Sequence, residues 1–106
     1  MEIVVVTHVQ ETVADQGAAS AHLGELAGLL CEAGLSARLD LPIGRPPSLH
    51  VLNPAMPGLE EHVIIERGDR GDWWLWWGWA ERIAPTHELD RAVDSIRRVL
   101  GATPPR

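Results

Sequence analysis

A cluster of tryptophans constrains this chain more than any other feature of its sequence. All five tryptophans of the 106-residue protein fall within the seven positions 73–79, and there is no phenylalanine or tyrosine. Aromatic side chains favour the pleated, half-buried surface of a β-strand. Successive side chains of a strand point to opposite faces. The sequence therefore predicts a strand with indole on both sides, Trp74 and Trp76 on one face and Trp73, Trp77 and Trp79 on the other.

A second predicted strand, His62 to Arg67, precedes the tryptophan strand and is joined to it by Gly-Asp-Arg-Gly, a composition typical of a tight hairpin. If residues 68–71 form that turn, Ile65 pairs with Trp74. One face of the hairpin then holds only apolar side chains and a glycine, and we expect it to pack against helices: Val63, Ile65, Trp74, Trp76 and Gly78. The other face mixes indoles with ionisable groups, and we expect it to stay open: His62, Ile64, Glu66, Trp73, Leu75, Trp77 and Trp79.

The segments on both sides of the hairpin predict the remaining elements. Apolar residues recur at helical spacing over residues 12–33 and again after Thr86, which is a favoured N-cap residue. Alternating or short apolar runs predict strands over residues 35–41 and 49–52. The β-branched run at residues 3–9 fits either an extra N-terminal strand or the early part of the first helix.

These elements predict an α+β fold. Each amphipathic helix needs the apolar face of the sheet, which leads to a two-layer sandwich. We expect an antiparallel β-meander of about four strands flanked by an N-terminal and a C-terminal helix, with a possible extra N-terminal strand. The length fits a single α/β domain over residues 1–106.

The segment WWLWWGWAERIAP, from Trp73 to Pro85, and the later helix that ends in RRVLG resemble a family of small uncharacterised bacterial proteins. In that family a tryptophan-rich strand runs into W-G-x-x-I-A-P and then an amphipathic helix. The resemblance extends loosely through GLSARLDLP, PSLHVLNP and PGLEEHV, and so over most of the chain. Ala80 stands where the family's glycine is expected, and Arg82 where proline is common. The resemblance implies the architecture above and transfers no catalytic residue.

Composition argues against several classes of partner. The net charge of −6 and the absence of lysine disfavour nucleic acid, whose binding depends on clustered positive charge. No apolar run approaches the roughly 20 residues that cross a bilayer, and the first residues lack the basic region of a signal peptide. The single cysteine, Cys31, fits a reducing compartment. We therefore expect a cytoplasmic protein that binds neither nucleic acid nor membrane.

Motifs for catalysis or cofactor binding are missing from the sequence. Its five histidines have no metal-ligand spacing, and it has no Walker pattern or glycine-rich phosphate loop. We expect no metal and no cofactor. His62 and Glu66, beside indoles on one predicted face, are a candidate acid–base pair. The same pair also belongs to ordinary amphipathic sheet surfaces, so we expect no catalysis.

The predicted function follows from the open face. Left uncovered, its indoles would form an apolar patch of the kind that marks an interface, and tryptophan is a leading hot-spot residue. The alternative is a monomer that covers Trp73, Trp77 and Trp79 with its own N-terminal segment or loops. We expect a non-catalytic interaction or regulatory domain that acts through this face, as a homodimer or an adaptor. The predicted contacts are Trp73, Trp77, Trp79, His62, Glu66 and His50. Two alternatives are a small-molecule binding domain or small enzyme with a tryptophan-walled pocket, and an acidic chaperone-like dimer that holds an apolar client segment.

Overall fold

The structure is a computed structural model that describes residues 2–56, 58–68 and 70–101, with side chains described from Gly17 onward. Within that part of the chain the elements follow in this order: helix α1 (Glu2–Glu32), strands β1 (Ser36–Asp40), β2 (Ser48–Leu52), β3 (Glu60–Arg67), β4 (Trp73–Trp77) and β5 (Arg82–Pro85), a 3₁₀ turn (Thr86–Glu88) and helix α2 (Leu89–Val99).

The strands form one antiparallel meander in the order β1-β2-β3-β4-β5, so β3 is central. Both helices contribute to the same core as one face of this sheet. The predicted α+β arrangement is therefore confirmed, with five strands in the described chain rather than about four. The strand that the sequence did not reveal is β5. It is short and ends in Pro85, whose missing N–H is tolerated on an edge strand but weakens any strand prediction.

The possible N-terminal strand is wrong, and the alternative of an early start to the first helix is correct. The backbone is helical from Glu2, including the β-branched run at residues 3–9. Strand propensity depends on context, and a segment contiguous with a helix can continue its hydrogen-bond pattern. The side chains of this run lie outside the described ones.

Two helical stripes close the core over one face of the sheet. Leu23, Leu26 and Leu30 of α1 lie one turn apart and are fully buried, as is Ile96 of α2. The inward residues of the sheet meet them, and together they exclude water: Leu49, Val51, Val63, Ile65, Leu75, Trp77 and Ile83. Leu→Ala changes at such positions cost about 2 to 5 kcal/mol.

A buried asparagine joins the loop after β2 to the end of α2. Asn53 donates from Nδ2 to the carbonyl oxygen of Leu100 at 2.8 Å and accepts from the backbone N–H of Ala55 at 3.0 Å. At the other end of α2, Thr86 does not act as the predicted cap. The chain first makes the 3₁₀ turn, and no side-chain cap bond is formed there.

Candidate functional site

The pairing of β3 with β4 decides which indoles remain available. Val63 pairs with Trp77, Ile65 with Leu75 and Glu66 with Trp74. The predicted register, in which Ile65 pairs with Trp74, is therefore wrong by one residue. The strands end at Arg67 and resume at Trp73, so the connection is one residue longer than predicted.

The local geometry of this connection explains the shift. Gly68 donates its N–H to the carbonyl oxygen of Asp72 at 2.6 Å, and Gly71 adopts φ +84°, a left-handed conformation that glycine takes without steric cost. Asp69 lies outside the described residues. Because a register slip of one moves every side chain to the other face, it exchanges the two sets of tryptophans.

The expected outward position of Trp73 and Trp77 is consequently wrong. Trp77 is 4% exposed and belongs to the core. Trp73 is half-buried on the helix side, with its ring centroid 6.1 Å from that of His22 of α1 and 4.9 Å from the guanidinium carbon of Arg67. Leu75 is also buried rather than open. The core takes these side chains because Val63 and Ile65, their β3 neighbours, point inward.

Trp79 lies beyond the end of β4 and remains 48% exposed. Its ring stacks on that of Trp77 with centroids 4.8 Å apart and planes 6° from parallel. Its indole N–H donates to Glu81 at 2.9 Å. The next residue, Ala80, has φ +72°, a left-handed conformation that is strained for any residue with a Cβ. Trp79 thus covers the edge of the core instead of belonging to the outer face.

The outer face of the sheet carries Trp74 and Trp76 instead. The guanidinium carbon of Arg82 lies 4.7 Å from the Trp74 ring centroid and 5.2 Å from that of Trp76, within cation–π range of both. The indole N–H of Trp74 donates to Asp72 at 2.8 Å. The two rings are therefore half-buried under polar groups of the same chain while their remaining surface faces outward.

The three predicted polar contacts do lie on this outer face. His50 of β2 pairs across the strands with His62 of β3, and their ring centroids are 4.8 Å apart. The Nε2 atom of His50 lies 3.2 Å from a carboxylate oxygen of Glu60. Glu66 follows His62 by four residues on one strand, about 13 Å at the rise of a strand. That separation is too large for the two to act directly as an acid–base pair.

A groove of about 440 Å³ lies at one end of the outer face. The loop from Pro42 to Pro47 forms one wall, and the β3 residues Ile64 and Glu66 form another. Asp40 and Arg45 bring opposite charges to its lining. The walls come from prolines, two isoleucines and polar residues, without a tryptophan.

The residues that sequence reasoning missed are Trp74, Trp76 and Arg82 on the face, and Asp40 and Arg45 at the groove. For the tryptophans, the available signal was Gly71, the second glycine between β3 and β4. A glycine at that position also suits a turn one residue longer than the one predicted. For the groove, the signal was the proline-rich loop itself, but its position over β3 depends on the tertiary fold.

Neither a metal cluster nor a membrane span is found in the described part of the chain. No group of three histidine, cysteine, aspartate or glutamate residues there has a geometry that could hold a metal ion. The helices described are not long and apolar enough to cross a bilayer. Comparisons with protein-family models, curated proteins and solved structures find no significant match. The resemblance to a tryptophan-rich bacterial family stays a prediction.

Proposed function

We propose that the protein is a non-catalytic interaction domain that forms a homodimer through the outer face of its sheet. The observation that carries this proposal is the asymmetry of the two layers. Both helices cover one face, whereas the opposite face keeps half-buried apolar side chains, namely Ile64 on the central strand and Trp74 and Trp76 on the strand beside it. Tryptophans that stay partly exposed on the surface of a sheet are typical of interface hot spots.

The distribution of charge supports association sheet to sheet. The 31 residues of α1 include five acidic residues and no lysine or arginine, so this helix carries −5 of the net charge of −6. Bringing two such helices together would oppose like charges. The outer face and its rim are nearly balanced, with three arginines (Arg38, Arg45 and Arg82) against four carboxylates (Asp40, Glu60, Glu66 and Asp72). Two copies of this face would therefore repel each other far less than two copies of α1.

The size of the face sets the expected strength of the dimer. Strands β1–β4 have five to eight residues and β5 has four, so at a spacing of about 4.8 Å and a rise of about 3.3 Å per residue the sheet spans roughly 300 to 650 Å² per copy. Two copies would bury roughly 600 to 1,300 Å², at or below the lower end of specific interfaces. We therefore expect a dimer with a dissociation constant in the micromolar range rather than an obligate assembly.

A charge placed at the centre of the face tests the proposal. His62 is exposed on the central strand, and His62→Glu would bring two new carboxylates together near the dimer axis. We expect sedimentation equilibrium to give a dissociation constant raised about tenfold or more. The matched control is His87→Glu, an exposed histidine on the 3₁₀ turn before α2. A wild-type protein that sediments as a monomer throughout the micromolar range would refute the proposal.

A second candidate function is supported by the groove. Its volume of about 440 Å³ lies within the roughly 300 to 1,000 Å³ of small-molecule sites. A ligand there would contact Ile64, which pairs with Trp76 across the strands, so tryptophan fluorescence would report binding. A saturable fluorescence change with a metabolite, without a change in sedimenting mass, would favour this function over the dimer.

A further inference from the structure

The loop between β1 and β2 presents apolar side chains directly to solvent. Ile43 is fully exposed and Leu41 is 61% exposed, although both are large hydrophobic residues. Pro42 precedes Ile43, and Pro46 and Pro47 close the loop; proline fixes φ and so limits the conformations of the chain. Gly44 adopts φ +75° at the tip. The loop thus holds Ile43 outward at little entropic cost to a partner.

The groove on the outer face lies immediately beside this loop. Its walls combine apolar surface from Pro42, Pro46 and Ile64 with polar ends. Its volume of about 440 Å³ exceeds that of one isoleucine side chain several times over, so both Leu41 and Ile43 of another molecule would fit. A projecting side chain and a recess on one surface are what an isologous interface needs, because each copy then offers both halves of the contact.

The charged residues at the groove can also form a symmetric contact between two copies. Asp40 and Arg45 both line it, and neither makes an ion pair with any side chain that the structure describes. In a two-fold interface, a contact from one residue to a second is repeated from the second to the first. Arg45 of each copy would then meet Asp40 of the other, which gives two ion pairs for one symmetric contact.

We propose that the occupant of the groove is the β1–β2 loop of a second copy of this chain. Ile43 enters the recess of the partner, and Arg45 pairs with Asp40 across the two-fold axis. This inference rests on the proposed sheet-face homodimer and specifies which end of the face forms it. It requires the two grooves to face each other near the dimer axis, with the helices on the outside.

Charge exchange tests the reciprocal contact. Asp40→Arg and Arg45→Glu each place like charges opposite one another in their own homodimers, so we expect each to raise the dissociation constant about tenfold or more. An equimolar mixture of the two variants restores both opposite-charge pairs in the heterodimer. We expect sedimentation of the mixture to approach the wild-type dimer fraction at the same total concentration. The double variant, Asp40→Arg with Arg45→Glu, restores both opposite-charge pairs between two identical copies and should also dimerise.

Matched variants away from the groove separate this contact from general charge effects. Glu25→Arg on α1 and Arg98→Glu on α2 make the same changes of charge at exposed positions of the helix layer, and both should leave the dissociation constant within about twofold of wild type. Ile43→Ser removes the apolar projection without changing charge and should weaken the dimer about tenfold. Far-UV circular dichroism confirms that each variant is folded.

The outcomes distinguish failure of the inference from failure of the proposed function. If the wild type dimerises and His62→Glu weakens it, while the charge variants and Ile43→Ser have no effect, the sheet face is the interface but the loop is not its anchor. If the single variants weaken the dimer and their mixture does not recover, the reciprocal pairing is wrong. A wild type that stays monomeric overturns both, and ligand binding in the groove without dimerisation does the same.

Discussion

On the helix-covered face of the sheet, Trp77 lies among leucines and valines and is almost wholly removed from water, while on the outer face Trp76 keeps part of its ring exposed under Arg82. The two residues are neighbours on β4 and identical in chemistry. Burial holds the first in place, and an arginine of the same chain covers the second. Neighbouring positions of one strand can thus contribute to stability and to recognition separately, because alternation sends them to different environments.

The largest expected effect on the free energy of unfolding comes from truncating Trp77, and the same truncation of Trp76 is its comparison. Trp77→Ala leaves a cavity in the core and should lower the free energy of unfolding by about 3 to 5 kcal/mol. Trp76→Ala removes a half-buried ring and one cation–π contact and should cost only about 1 to 2 kcal/mol. Urea denaturation followed by far-UV circular dichroism measures both. Equal losses for the two variants would remove the distinction between the faces.

Asn53→Ala tests whether buried polar groups also support the helix-covered side. The change leaves the Leu100 carbonyl and the Ala55 N–H without their partner, so the free energy of unfolding should fall by about 1 to 3 kcal/mol. Ser36→Ala, at an exposed position of β1, is the control and should change it by less than about 0.5 kcal/mol. Equal unfolding midpoints for the two variants would contradict the role of Asn53.

The smallest expected effect on the free energy of unfolding concerns the turn after β4, which contains Trp79 and Ala80. Ala80 has φ +72°, which costs a residue with a Cβ about 1 to 2 kcal/mol. Glycine removes this strain but loses more chain entropy on folding, by about 0.5 to 1 kcal/mol. Ala80→Gly should therefore raise the free energy of unfolding by about 0.5 to 1 kcal/mol, measured in the same urea experiment. A decrease would mean that the left-handed conformation is not maintained in solution.

Most of the fold was predictable because its signals are local. Alternation in residues 35–41, the helical stripe through Leu23, Leu26 and Leu30, and the apolar pattern of α2 each reflect the geometry of a single element. The errors occurred where local signals compete or are short. The β-branched N-terminal run is compatible with strand and helix, and β5 is only four residues long and ends in proline.

The candidate site was predicted in part for the same reason. His50, His62 and Glu66 lie on the outer face as expected. Each of them is adjacent in sequence to a buried apolar residue of its own strand, and adjacent side chains of a strand point to opposite faces. Trp73 and Trp77 were assigned to the wrong face because that assignment depended on the number of residues in the turn. The groove was not predicted at all, because a loop and a distant strand form it together.

The sequence by itself determined that the tryptophans of β4 would divide between two faces, because the alternation of side chains follows from the covalent geometry of an extended chain. Only the tertiary structure decided which set would be buried. That choice depends on which residues of β3 and β4 share hydrogen bonds, and one additional residue in the turn reverses it. The same hydrogen-bonded register placed Trp74 and Trp76 beside Arg82 on the outer face, where the proposed partner would meet them.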